Sequence, residues 1–317
     1  MHPAFSVIAF TTLSGSGYGL LFWLGAHYVF RPLPLSPEFA LILFGLGLLL
    51  VTVGLVASLW HLGQPQRAWR ALSQWRSSWL SREGVMALVT YLPALVLCWL
   101  VWNADFGTAS RVAGAALAML SLLTVACTAM IYASLRTIPA WRHWSVVPTY
   151  LLFALGGGVL WLVALFSLTG WRPGSMVLWS VGVLLLALLL LKLSAWRFIS
   201  RPDAGSGLRT SDAIGINRAM RQFEAPHTEA NYITREMVFV LARKHSRRLR
   251  IIATTLFVLL PLLSLLIVKP LPGMTVVLAI AAALAFQLGA LVERWLFFAE
   301  ARHVVSLYYG GGPLPLR

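Results

Sequence analysis

Acidic residues are scarce in this chain: ten Asp and Glu stand among 317 residues, against 25 Lys and Arg. Charged residues of both signs reach only 11%, while 59% are hydrophobic and the mean hydropathy is +0.80, which no water-soluble domain shows. Cysteine is nearly missing. Cys98 and Cys127 stand singly inside apolar stretches, so no disulfide framework and no metal or iron–sulfur site is expected in this chain. It has no phosphate loop and no HExxH spacing. The histidines (His2, His27, His61, His143, His227, His245 and His303) all fall at the ends of apolar stretches or between them. A b-type haem needs two that face each other within the membrane, so no haem is expected. The opening Met-His-Pro lacks the basic leader of a secretory signal, and the first apolar stretch is long enough to stay as a span.

Long apolar runs are what the chain has in plenty. About 20 such residues cross the hydrocarbon core as a helix, the simplest structure that satisfies its own backbone in lipid. Eight runs qualify, at 5–30, 39–60, 84–102, 113–132, 146–168, 176–196, 251–268 and 275–298. The fold class is therefore all-α, a polytopic membrane bundle of eight transmembrane helices forming one integral domain over 1–317. Most tryptophans, Trp23, Trp60, Trp102 and Trp196 among them, lie near span ends as an interfacial belt would place them. The TTLSGSGYG stretch of the first span offers small residues for close helix packing.

Charge sets the orientation. With eight spans both termini share a face, and that face takes 21 of the 25 Lys and Arg; the other keeps Arg31, Arg111, Arg172 and Lys269. Positive-inside logic assigns the basic face to the cytoplasm of a bacterial inner membrane. The net charge of +15 is thus a topological signal with a share in anionic-lipid binding, and no nucleic-acid partner is expected. The one sizeable gap, 197–250, reads as a cytoplasmic loop whose second half extends the seventh helix. Some fifty residues can cover a partner but hardly form a separate catalytic domain.

The candidate chemistry gathers around the second gap, WHLGQPQRAWRALSQWRSSWLSRE. His61 ends the second helix and Glu83 opens the third on the same face, with Arg67 between them; Gly63 and Pro65 break the helix. A neutral imidazole can hydrogen-bond a quinone oxygen and take its proton, and a partly buried carboxylate can relay it. From residue chemistry alone a capping role for both side chains stays open. Trp60 and Gln64 are candidates for a supporting shell. So are Glu293 and Arg294 of the last span, for which a structural salt bridge or snorkelling is the alternative.

HLGQPQRA and SSWLSRE, with MHPAFSVIAFTTLSGSGYG at the start and PHTEANYITREMVFVLARKH before the seventh helix, resemble the dimethyl sulfoxide reductase anchor-subunit (DmsC-like) family along essentially the whole chain. The resemblance implies the membrane subunit of a three-part respiratory oxidoreductase. Its partners would be a molybdopterin catalytic subunit and a four-cluster, ferredoxin-like iron–sulfur subunit. By that resemblance His61 is the quinone-binding histidine, Glu83 the family's acidic position and Arg67 the motif's arginine. The quinone would be menaquinone or ubiquinone. Reductase members draw electrons from quinol, and sulfite-oxidising relatives deliver them to quinone. A secondary transporter and an anchor without a quinone site are the rival readings; the first would place its ionisable residues nearer mid-membrane.

Overall fold

The structure is a computed structural model and describes residues 4–30, 35–60, 62–200 and 241–304. Among the described residues there is no strand, and eight helices are long and apolar enough to cross a membrane. They are α1 (Phe5–Phe30), α2 (Pro37–Leu59), α3 (Trp79–Trp102), α4 (Thr108–Ala133), α5 (Val146–Ser167), α6 (Ser175–Ile199), α7 and α8 (Thr275–Ala299). Helix α7 runs through Leu241–Thr254, a wider π turn at Thr255–Leu259, and Leu260–Val268. Pro261 lacks the N–H that a regular turn needs, and the Leu260 N–H reaches back to the Thr255 carbonyl instead. A 3₁₀ helix, Pro65–Gln74, fills the second gap, where only a helix break was expected.

One start differs from expectation. Helix α3 begins at Trp79, five residues before Gly84, so Glu83 lies within its second turn and not at its head. Helix α7 is already helical at Leu241, within the extension expected for the seventh helix. The earlier part of its expected extension, and most of the 197–250 gap, lies outside the described residues. Helix α2 starts where a first turn should: Ser36 accepts the Phe39 N–H at 3.3 Å, and Pro37 occupies a position whose N–H would be unsatisfied anyway.

Helix α1 is the axis of the bundle, packing on α2, α4, α5 and α8. It has the lowest mean hydropathy of the eight, 1.4 against 2.7 for α2, yet it is the most buried. Packing in lipid rewards close backbone approach more than apolarity, because the tails are as apolar as Leu. At its tightest crossing a Cβ on Gly19 would run into the Ala154 carbonyl of α5, and one on Gly158 would meet Gly19 in return. The Trp23 indole donates to the Leu155 carbonyl at 2.9 Å along the same seam. One apolar core lies among α1 to α5, around Leu20, Leu43, Phe44, Leu97 and Leu117; a second lies among α5 to α8, around Phe257, Phe286 and Leu185. Helix α5 is common to both. A small third cluster (Ile8, Ile138, Trp141, Phe298 and Ala301) closes the face that carries the N-terminus, where the Trp141 indole donates to the Phe297 carbonyl at 3.0 Å.

Candidate functional site

The second gap is strapped to the head of α3. Ser81 donates to the Ala71 carbonyl, and Arg82 donates to the carbonyls of Trp75 at 3.0 Å and Arg76 at 2.7 Å while its guanidinium covers the Trp79 ring at 4.3 Å. The 3₁₀ helix itself buries no residue, and Trp69 and Trp75 stay exposed. Exposed tryptophans beside arginines are what a segment at the membrane–water boundary presents.

Behind this exposed strap Glu83 is 5% exposed, and its Oε1 accepts from the Thr128 hydroxyl of α4 at 2.8 Å. No ion pair to it is present among the described residues. Further in, Thr90 and Thr124 meet at 3.2 Å, continuing a polar line between α3 and α4.

Thr128 also lines a narrow interior cavity. Its walls include Thr11, Thr12, Ser14, Ser16 and Tyr18 of α1, Val125 of α4, Tyr150 and Phe153 of α5, and Arg294 of α8. Arg294 is 3% exposed and lies over the Tyr150 ring at 3.6 Å. Beyond it Lys192 of α6 forms an ion pair with Glu293, the two being 4% and 1% exposed. Nearer the surface Arg250 of α7 donates to Glu300 at 2.9 Å and to Ser200 at 2.9 Å. The Trp196 ring lies between the two pairs, 5.1 Å from Lys192 and 5.5 Å from Arg250.

The candidate residues thus separate into groups. His61 lies outside the described residues. Trp60, 80% exposed, ends α2; Gln64 and Arg67 are exposed on the gap, joined by the Arg67 N–H donating to the Gln64 carbonyl at 3.0 Å. Arg67 makes no ion pair with Glu83 among the described residues. Glu83 and Arg294 approach the cavity from two sides, whereas Glu293 turns to Lys192. Thr128, Tyr18, Tyr150 and Lys192 were not singled out from sequence as site residues. Thr128 is one hydroxyl among many in apolar spans, and Lys192 reads there as one more basic residue of the sixth gap. Among the described residues no three His, Cys, Asp or Glu side chains come together to hold a metal.

Eight helices long and apolar enough to cross a membrane, with a buried carboxylate that has no ion pair among the described residues, define a multi-pass membrane protein. The family model for the DMSO reductase anchor subunit (DmsC) matches residues 1–310, and the chain belongs to that family, the membrane anchor subunits of oxidoreductase complexes. It is 35% identical over 332 aligned positions to a sulfite dehydrogenase subunit from Allochromatium vinosum, covering 98% of this chain and 99% of that one. No solved structure matches it.

Proposed function

We propose that this subunit is the quinone-reactive anchor of a three-subunit molybdopterin oxidoreductase and exchanges electrons between the quinone pool and an iron–sulfur subunit. The observation that carries the reading is Glu83, a carboxylate buried in the membrane edge, without a counter-ion among the described residues and joined by Thr128 to a polar cavity. A structural carboxylate would have a cationic partner, as Glu293 has in Lys192. A group left to titrate suits proton exchange with a lipid-soluble ring.

Oxidation of a quinol yields two electrons and two protons, and reduction of a quinone takes up the same. In this reading His61 hydrogen-bonds a ring oxygen and handles one proton, and Glu83 holds and passes on a proton. Arg67, exposed at the rim, orients the head group or its surroundings. The cavity itself is too narrow for a ring, so the quinone would lie at the exposed edge between α2, the 3₁₀ helix and α3, where Trp60, Trp69 and Trp75 face outward. The basic gaps, with 197–250 the longest, dock the iron–sulfur subunit on the cytoplasmic side, and that partner carries the electrons to a molybdopterin subunit. The full-length similarity to a sulfite dehydrogenase subunit favours sulfite as the soluble substrate, with electrons entering the quinone pool.

His61→Ala and Glu83→Gln in the assembled complex test the reading. Each is expected to lower quinone-linked turnover by about a hundredfold or more, the scale of a lost acid–base group. An artificial soluble dye should still exchange electrons with the catalytic subunit at the unaltered rate. Persistence of quinone-linked turnover in an intact complex overturns the reading, and parallel loss of both activities assigns the residues to anchoring. Sulfite against dimethyl sulfoxide as the soluble substrate decides the direction of flow.

A further inference from the structure

Five charged side chains are buried among the described residues: Glu83, Lys192, Glu293, Arg294 and Glu300. Lys192 is paired with Glu293, and Arg250 with Glu300. That leaves Glu83 and Arg294, of opposite sign and each without an ion pair among those residues. Both address the same cavity, Arg294 directly and Glu83 through Thr128.

Two polar atoms of the cavity-lining residues, the Tyr18 hydroxyl and Nε of Arg294, have no hydrogen-bond partner among the described residues, while the Tyr150 side chain is engaged by Arg294 itself. Buried polar groups are normally satisfied, and a water is the usual partner where side chains cannot meet. The cavity offers about 10 Å³ to the centre of a water molecule, room for about one water and nothing larger.

Donor and acceptor roles fix the direction of such a bridge. The Thr128 hydroxyl has one proton, and its 2.8 Å bond to a carboxylate is shorter than its 3.1 Å alternative to the Thr124 carbonyl. Its oxygen is then left to accept. Arg294 Nε can only donate. A water between them accepts from Arg294 and donates to Thr128, and every hydrogen bond in the chain points towards Glu83.

We propose that this cavity holds an ordered water linking Arg294 to Thr128, and that Arg294 is a positioning residue whose charge, carried through that link, favours the ionised, proton-accepting form of Glu83. The proposal rests on the reading of Glu83 as a proton-handling group. The other titratable groups around Glu83 are Tyr18 from α1, Cys127 and Tyr132 from α4, Tyr150 from α5, and Arg82 and Tyr91 on its own helix. Of these only Arg82 is a cation, and it is engaged outward with the carbonyls of Trp75 and Arg76. Among the described residues Arg294 is therefore the cation that this link couples to Glu83.

Infrared titration of the Glu83 carboxyl, its band identified by its disappearance in Glu83→Gln, tests this in the detergent-solubilised complex without relying on turnover. Arg294→Gln and Thr128→Val are each expected to move the titration to higher pH by about one unit, tenfold in the ionisation equilibrium. Arg294→Lys and Thr128→Ser should stay near the unaltered protein. Should Arg294→Gln fail to assemble, Arg294→Met carries the test, since it keeps much of the apolar bulk and removes the charge; a shift in Thr128→Val alone would report only the direct Thr128–Glu83 bond. An unshifted carboxyl in an assembled Arg294→Gln or Arg294→Met complex overturns the proposal. A shifted carboxyl with quinone-linked turnover indifferent to Glu83→Gln upholds the bridge and overturns the functional reading instead.

Discussion

The two halves of this bundle are held together differently, and their acidic residues show it. Helix α1 meets α2, α4 and α5 at glycines, backbone against backbone, and the carboxylate buried in this half, Glu83, has only a hydroxyl for company among the described residues. Helices α6 to α8 meet at one such glycine, Gly289 against the Phe257 backbone, and are joined besides by charge, with Lys192–Glu293 inside and Arg250–Glu300 nearer the surface, bracketing Trp196. Glu83 and Glu293 both lie about one to two turns in from the same face, so depth does not separate them. Partnership does. A buried pair holds helices in register, whereas a buried charge with no partner is costly to keep and is a candidate for chemistry.

The sharpest way to break the comparison is to give Glu293 the isolation of Glu83. Glu293→Ala strands Lys192 and should cost about 3–5 kcal/mol, read as loss of assembled subunit from the membrane. The double variant Lys192→Met with Glu293→Leu should recover most of it, because well-packed apolar residues replace a buried pair at little cost. If the single variant assembles normally, the pair is not structural and the contrast with Glu83 collapses. On the other half, Gly19→Ala drives a methyl into the Ala154 carbonyl and should cost about 1–3 kcal/mol. Gly15→Ala, where a methyl meets nothing within 4 Å, is the matched control and should be nearly silent in a detergent melting series.

A smaller effect comes from Glu300, just past the end of α8. Burial pushes its carboxyl above the usual carboxylate range, although Arg250 beside it pulls the other way. The folded state then holds the proton more tightly than the unfolded chain. That contribution to stability is complete below the ordinary carboxylate value and is lost as pH rises through the folded value. Glu300→Gln should flatten that part of the pH dependence of the melting temperature; an unchanged slope would show that Arg250 offsets the burial fully.

The spans were legible because lipid imposes a single requirement, some twenty apolar residues in a row, on every one of them. Ends were less so. Trp79, Leu80 and Ser81 continue α3 outward past the apolar run, which is why Glu83 falls inside the helix. Neighbours were not legible at all. Lys192 and Glu293 stand 101 positions apart, and nothing in either apolar stretch says that α6 and α8 share a buried face. The site was half readable: the motif around the second gap points to Glu83, but Thr128 and Tyr150 acquire meaning only when α4 and α5 close over α1. The polar TTLSGSGYG stretch did announce close packing, and it also supplies six cavity-lining residues and the Ser16 hydroxyl that donates to Gln287 at 2.7 Å.

The placement of α1 bears on how the protein is made. The helix that enters the membrane before the other seven is the one least suited to stand alone in lipid. During synthesis Thr11, Thr12 and Ser14 can quiet their hydroxyls by bonding carbonyls one turn back, as they do in the finished protein. Ser16 exchanges that kind of bond for Gln287, 271 residues later on α8. A nascent chain that stops short of α8 therefore leaves its central strut without the face on which α8 packs.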